Sequence, residues 1–165
     1  MKSVTLIGMM GAGKTTCAKL LAEETGCSLF DVDKIIESDM KCSISEIFET
    51  RGEDFFRNLE QEVILHRSKP ENMIIATGGG VFENPRLREF LLDISVVVYL
   101  KAQPETIYER IKADLTRPLL KNNMNIERIR SLISSREKNY LKADYVIETD
   151  GKTIGQIVSE ITGVL

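Results

Sequence analysis

Residues 8–15 read Gly-Met-Met-Gly-Ala-Gly-Lys-Thr, and this segment is the most informative part of the sequence. It matches G-x-x-x-x-G-K-[ST], the P-loop pattern, in which backbone N–H groups bind phosphate oxygens. The apolar run 3–7 before it predicts a buried strand, and residues 16–24 after it predict a helix. A strand, a glycine-rich loop and a helix together place the phosphate at a helix N-terminus. In that context Lys14 reaches the β- and γ-phosphates, and the Thr15 hydroxyl is placed to ligate Mg²⁺.

The 165 residues suit one compact domain, so we expect a single domain over 1–165. A net charge of −3 argues against a nucleic-acid partner, and no apolar run approaches the ~20 residues of a membrane span. A strand that begins within three residues of the start leaves no room for a signal peptide. Cys17, Cys27 and Cys42 share no metal or redox spacing and favour reduced thiols in a cytoplasmic protein. A catalytic thiol lacks an evident base, because His66 lies in a polar helical stretch.

Short apolar runs rich in β-branched residues alternate with helical patterns along the chain. The runs predict strands at 3–7, 28–32, 73–77, 95–100 and 145–148. This alternation predicts an α/β fold of three layers, with a five-stranded parallel sheet and helices on both faces. Ligands of such sheets gather beyond the carboxyl ends of the strands. We therefore expect the functional residues in the segments that follow the strands.

Capping residues mark several helix starts. Ser43 with Glu46 forms a capping-box pattern, and Asn84 precedes Pro85 as an N-cap precedes a first helical proline. Asn125 is placed to cap a helix that runs to about residue 142, and a last helix is expected near 153–163. The segment 113–124 fits neither period and is either a surface loop or a lid over the phosphates.

An acidic pair follows the second predicted strand. The strands at 73–77 and 95–100 end without a carboxylate, whereas Asp31 and Asp33 alternate along an extended segment and should share one side. One carboxylate can hold Mg²⁺ through water, and the other can bind an acceptor hydroxyl and orient it or take its proton. The alternative is that Asp33 is the N-cap of a helix that begins near Lys34.

Three further features have both a structural and a functional interpretation. Gly78-Gly79-Gly80 permits close backbone approach to a ligand or forms a flexible turn. Arg57 and Glu60 are spaced i, i+3 on a helix, so they form either an exposed ion pair or an arginine fork held ready for a carboxylate. Arg136 lies on the long helix after 125, where a solvated face is the simpler interpretation.

Taken together, these segments resemble the shikimate kinases, small-molecule kinases with a P-loop. The matching pieces appear in the family's order over essentially the whole chain: 8–16, 30–33, Gly52-Glu53 with Phe56-Arg57 and Glu60, 78–80, Arg117-Pro118-Leu119-Leu120, and Arg136 with Tyr140. The resemblance implies the P-loop kinase fold with strand order 2-3-1-4-5, a substrate-binding region at about 33–61 and a lid at about 113–124. It also implies transfer of the ATP γ-phosphate to the 3-hydroxyl of shikimate, a step toward chorismate and the aromatic amino acids.

The resemblance implies a role for each matched residue. The ATP phosphates would be held by Gly11, Ala12, Gly13, Lys14, Thr15 and Thr16. Mg²⁺ would be served by Thr15 and, through water, by Asp31, while Arg110 would stack on adenine and Arg117 would reach the phosphates from the lid. The shikimate site would comprise Asp33, Arg57, Gly78, Gly79, Gly80 and Arg136, and the catalytic residues would be Lys14, Asp33 and Arg117.

One departure and two rival functions remain. The adenine loop of the family often carries a proline, whereas residues 149–153 here read Thr-Asp-Gly-Lys-Thr. One rival is a gluconate-type or nucleoside-monophosphate kinase, against which the acidic pair beside a hydroxyl-bearing substrate argues. The other is a nucleotide-binding switch without catalysis, which loss of Lys14, Asp33 or Arg57 would favour, and none is lost. We expect a monomer whose partners are ATP and shikimate, with no nucleic acid and no membrane.

Overall fold

The computed structural model describes residues 1–112 and 125–165. Its parallel sheet has the order β2-β3-β1-β4-β5, which confirms the expected 2-3-1-4-5. The strands are β1 (Ser3–Ile7), β2 (Ser28–Asp31), β3 (Met73–Ala76), β4 (Ser95–Lys101) and β5 (Tyr145–Glu148). Each predicted strand is therefore present, with ends that differ by one residue at β2, β3 and β4.

Helices connect the strands. They are α1 (Lys14–Thr25), α2 (Val32–Met40), α3 (Ile44–Arg51), α4 (Glu53–Arg67), α5 (Pro85–Ile94), α6 (Pro104–Ile111), α7 (Ile126–Tyr140) and α8 (Ile154–Val164). A short 3₁₀ turn, Val81–Glu83, precedes α5. None of these helices in the described part of the chain is long and apolar enough to cross a bilayer.

The sheet separates two apolar cores, as three layers require. Along β3 the side chains of Met73 and Ile75 enter one core and those of Ile74 and Ala76 enter the other, which is the two-residue period of a strand. The first core includes buried residues of α2, α3, α4, α5 and α7, and the second includes those of α1 and α8. Helices therefore cover both faces, as the alternating pattern predicts.

A third apolar cluster lies beyond the carboxyl edge of the sheet. Met9 and Met10, inside the P-loop, pack with Ile107 and Ile111 of α6 and with Ile129 of α7. All are at least nine-tenths buried. The cluster fixes the phosphate loop against the two helices that flank the segment 113–124.

The predicted caps are confirmed. Ser43 and Glu46 form the reciprocal capping box, Asn84 caps α5 with Pro85 in its first turn, and Asn125 caps α7, which ends at Tyr140. The alternative interpretation of Asp33 as the N-cap of α2 is wrong. Asp31, not Asp33, accepts from the Lys34 N–H at 3.2 Å, because the helix begins at Val32 rather than near Lys34.

Candidate active site

The P-loop leaves β1 and enters α1 through a conformation that glycine alone adopts easily. Gly13, the N-cap of α1, has φ 96°. It offers no side chain to cap the first turn, so the N–H groups there point into the loop and suit an anion. The phosphate cradle at Gly11, Ala12, Gly13, Lys14, Thr15 and Thr16 stays a prediction, with which this geometry is compatible.

Lys14 is folded over the loop. Its Nζ donates to the carbonyl oxygens of Gly8 and Met9, both at 2.9 Å, and only 8% of the residue is exposed. The ammonium is thus held within the loop itself, where a bound phosphate would exchange for these carbonyl partners. The loop thus holds a compact positive charge whose flexible stem lets it exchange partners.

A cleft of about 300 Å³ brings part of the predicted ATP site and part of the predicted shikimate site together, whereas Arg57, Gly80 and Arg136 are not among its lining residues. Its lining includes Lys14 and Thr15 from the loop, Asp33 from α2, and Gly78 and Gly79 after β3. Parallel strands place all of these at the carboxyl edge of one sheet. The cleft therefore joins a phosphate-binding side to a side that carries a carboxylate.

The two aspartates of the acidic pair do not share an extended segment, so the argument from alternation is wrong. Because the chain becomes helical at Val32, Asp33 lies in the first turn of α2 and faces the cleft. The Asp31 carboxylate caps the same helix, is 7% exposed, and also borders a separate depression with Lys34 and Arg67. The Mg²⁺ role of Asp31 stays a prediction.

Arg57 and Glu60 form the predicted pair, in which Glu60 is buried and Arg57 is half-buried. Arg57 Nη1 lies 2.5 Å from Glu60 Oε2, and Arg57 Nη2 lies 3.2 Å from Glu53 Oε1. The Glu60 side chain is 1% exposed and that of Arg57 is 30% exposed. An ion pair in this environment holds the guanidinium in one orientation, as a carboxylate-binding fork requires.

The buried carboxyl of Glu60 has an unusual protonation equilibrium. Burial raises its pKa from 4.5 to about 7, against the opposing charge of Arg57 and with a further increase from the charge of Asp33. Glu60 Oε1 accepts no hydrogen bond from residues 1–112 or 125–165. One oxygen of Glu60 thus binds arginine while the other has no donor in the described chain.

The triple glycine is the point where the charged side chains converge. A Cβ at Gly78 would overlap Glu60 Oε1, and a Cβ at Gly80 would lie 2.8 Å from the Arg57 guanidinium. At Gly79 it would lie 3.5 Å from Arg136 Nη1. The glycines therefore permit the close approach of these three side chains, and the close approach of a ligand to the same backbone stays a prediction.

Arg136 and Tyr140 attach α7 to this loop. Arg136 Nη1 donates to the Gly79 carbonyl at 3.4 Å and contacts Met9 Sδ at 3.8 Å. The Tyr140 hydroxyl donates to the same carbonyl, and burial raises its pKa to about 12, so it remains a donor. The interpretation of Arg136 as part of a solvated helix face is therefore wrong. The sequence pattern of α7 does not show which of its polar side chains contact the loop 78–80.

Arg110 links the phosphate loop to the segment after β5. Its Nη1 donates to the Gly11 carbonyl at 3.2 Å, and its Nη2 donates to the Thr149 carbonyl at 3.4 Å. The residue lies at the rim of the cleft. This position suits a nucleotide base above the phosphates. Arg117 and the predicted lid 113–124 lie outside the described residues.

The cysteines and the histidine do not join the site. Cys17, Cys27 and Cys42 are free thiols. Burial raises the pKa of Cys17 to about 11, so its thiol stays protonated. His66 is exposed on α4, as its polar surroundings predicted.

Comparison with known proteins gives a consistent result. The shikimate kinase family model matches residues 10–165. A shikimate kinase of Caldanaerobacter subterraneus subsp. tengcongensis is 41% identical over 161 residues, which cover 98% of this chain and 94% of that protein. Among solved structures, the shikimate kinase of Acinetobacter baumannii in complex with shikimate has a TM-score of 0.95 and 34% identity, over 99% of this chain and 92% of that one. The Aquifex aeolicus shikimate kinase has a TM-score of 0.84 and 36% identity, over 97% and 94%.

Proposed function

The chain belongs to the shikimate kinase family, and on this premise we propose how its residues transfer the γ-phosphate of ATP to the 3-hydroxyl of shikimate. The observation that carries the assignment of roles is that Asp33, Gly78 and Gly79 line the same cleft as the P-loop residues. Phosphoryl transfer needs two reactants held in line and their charge balanced, with little covalent chemistry from the protein. The two sides of this cleft fit those two tasks.

The P-loop side binds ATP. Backbone N–H groups of residues 11–16 cradle the phosphates, and Lys14 leaves the Gly8 and Met9 carbonyls to contact the β- and γ-phosphates. Arg110, held between Gly11 and Thr149, packs against the adenine. Arg117, from the predicted lid, adds a positive charge at the phosphates.

The oxygen donors on this side fit Mg²⁺, which favours one or two protein oxygens together with phosphate oxygens and water. The Thr15 hydroxyl, which lines the cleft from the first turn of α1, would bind it directly. Asp31, which caps α2 and does not line the cleft, would bind it through water. When bound, Mg²⁺ neutralises phosphate charge as it develops during transfer.

The opposite side binds shikimate. Asp33 accepts a hydrogen bond from the reacting hydroxyl, orients it and receives its proton as the new P–O bond forms. Arg57 and Arg136 hold the shikimate carboxylate, since each guanidinium abuts the loop 78–80. The glycines let the ring approach the backbone. Carboxylate and hydroxyl are thus bound at separate points, which fixes the orientation of the ring.

We also propose that the enzyme acts as a monomer. The residues proposed for the ATP side and for the shikimate side all belong to the same chain, so the proposed roles need no residue from a second copy. Size-exclusion chromatography with light scattering tests this directly.

Acceptor-dependent release of ADP tests the function. Purified protein with Mg-ATP is assayed with shikimate, gluconate, several nucleoside monophosphates or no acceptor. We expect a rate with shikimate far above every other rate, and a product phosphorylated at the 3-hydroxyl by ³¹P NMR. A higher rate with gluconate or a nucleotide, or no acceptor dependence, would contradict the assignment.

A further inference from the structure

Glu60 is enclosed by charged groups from several elements. On its own helix it faces Arg57 and, beyond it, Glu53. Asp33 of α2 approaches near Gly78, where a Cβ would overlap Glu60 Oε1 and lie 3.5 Å from Asp33 Oδ1. Across the glycine loop, α7 presents Arg136 and Tyr140, and Lys14 lies further along the same cleft as Asp33.

The two oxygens of Glu60 are not equivalent. Oε2 is bound to Arg57, whereas Oε1 is buried against Gly78 and has no hydrogen-bond partner in the described chain. A buried, charged oxygen without a donor is costly, whereas a protonated one is much less so. Oε1 is therefore a place where a proton can reside without disturbing the contact between Oε2 and Arg57.

We propose that Glu60 takes up one proton from solvent when an anionic substrate carboxylate binds Arg57, so that binding of shikimate is linked to protonation of this buried carboxyl. The inference rests on the function proposed above. It adds to the role of Glu60 in holding Arg57 a second role, the uptake of a proton on substrate binding. No covalent bond other than O–H forms, and the proton comes from the buffer.

The direction follows from charge. In the free site Arg57 is shared by Glu53 and Glu60, with Asp33 near Glu60. A bound carboxylate adds another negative charge next to the same guanidinium and excludes water from it. Both effects disfavour the charged form of Glu60.

The number of protons taken up depends on the pKa of Glu60 in the free protein. Its pKa of about 7 in the free protein means that the group is already divided between its two forms near neutral pH. A further rise on binding therefore moves protons at the pH of an ordinary assay. For a rise of about one unit, uptake near pH 7.5 would be on the order of half a proton per shikimate bound.

Isothermal titration calorimetry measures this uptake. Shikimate is titrated into nucleotide-free protein at one pH, in PIPES and in Tris, whose ionisation enthalpies differ widely. Protons taken from the buffer make the apparent binding enthalpy depend on the buffer, and the slope of that dependence is the number of protons. We expect a positive slope for the wild type, no slope for Glu60→Gln, and a retained slope for Glu53→Gln, which alters the other carboxylate on Arg57.

A neutral ligand supplies a control that needs no variant. The methyl ester of shikimate keeps the ring and hydroxyls but brings no negative charge to Arg57, so its binding should show no buffer dependence. Shikimate binding to the wild type with a slope of zero would overturn the inference, as would a slope that Glu60→Gln leaves unchanged. Absence of both binding heat and shikimate-dependent ADP release would instead overturn the proposed function.

Discussion

A Cβ at Gly80 would lie 2.8 Å from the Arg57 guanidinium, so the backbone of the loop after β3 and this side chain are in direct contact. Arg57 is held from the other side by Glu60 at 2.5 Å. The guanidinium is therefore fixed between a carboxylate and a glycine. Its position depends on the absence of a side chain at residue 80.

Gly80→Ala should displace Arg57 and weaken shikimate binding. Because small displacements of a positioning group are costly, we expect kcat/KM for shikimate to fall between about tenfold and a hundredfold, with KM for ATP little changed. Steady-state kinetics with each substrate varied in turn measures this. Gly163→Ala is the matched control, since nothing lies within 4 Å of a Cβ there. Unchanged kinetics in Gly80→Ala would show that Arg57 adapts freely.

Asp33→Asn should remove the group that receives the acceptor proton. We expect kcat to fall by about 10²–10⁴-fold, the usual contribution of a general base, while ATP binding by calorimetry persists. Asp39→Asn lies on the same helix, and its side chain is half exposed in a surface pair with Arg67, so it should retain turnover. Turnover close to wild type in Asp33→Asn would exclude Asp33 from the chemistry.

Arg57→Ala should remove one of two positive charges at the shikimate carboxylate. The loss should be about 2–4 kcal/mol of binding, or roughly 30- to 1,000-fold in the KM for shikimate. Arg67→Ala, at the exposed end of the same helix, is the control and should bind shikimate normally. An unchanged KM in Arg57→Ala would place the carboxylate elsewhere in the cleft.

The protonation of Glu60 should also be visible in the pH dependence of folding. Its pKa is about 7 in the folded protein and about 4.5 when exposed, so the folded state binds more protons between these values. The stability that protonated Glu60 contributes is therefore complete below about pH 4.5 and is lost as the pH rises through 7. Relative to Glu60→Gln, the wild type should lose free energy of unfolding across this window.

Urea unfolding at about pH 5 and about pH 8 measures that difference. Glu62→Gln, an exposed glutamate on the same helix, should follow the wild type at both values. A constant gap between wild type and Glu60→Gln at the two pH values would mean that Glu60 titrates as an ordinary exposed carboxyl.

Much of the architecture follows from local sequence patterns. The alternation of apolar runs and the pattern at 8–15 predict the three-layer fold, and the caps at Ser43, Asn84 and Asn125 follow from side chains that satisfy backbone N–H groups one turn away. The strand order was predicted from the family resemblance, because the sequence pattern of a strand does not show which strands lie next to it in the sheet. The helix start at Val32 was missed because apolar Val32 continues the β pattern equally well.

The site depended on contacts between residues far apart in the chain. The i, i+3 spacing predicted that Arg57 and Glu60 would pair, but not that Glu60 would be 1% exposed, because burial depends on the loop after β3 that covers α4. Likewise, nothing local to Arg136 or Tyr140 shows that both reach the Gly79 carbonyl. Two side chains that bind the same backbone carbonyl need no particular spacing in the sequence, so no sequence pattern predicts such a contact.

Met9 and Met10 occupy positions that the P-loop pattern leaves open, yet both are buried against α6 and α7. The residues at the variable positions of the motif thus pack the loop against α6 and α7, whereas the residues that the motif specifies are proposed to bind the nucleotide. If the eight residues were replaced by those of an unrelated kinase with polar residues at these two positions, the motif would be kept. The apolar packing of the loop against α6 and α7 would be lost. Interchangeability of phosphate loops between proteins is therefore limited by the residues that no motif records.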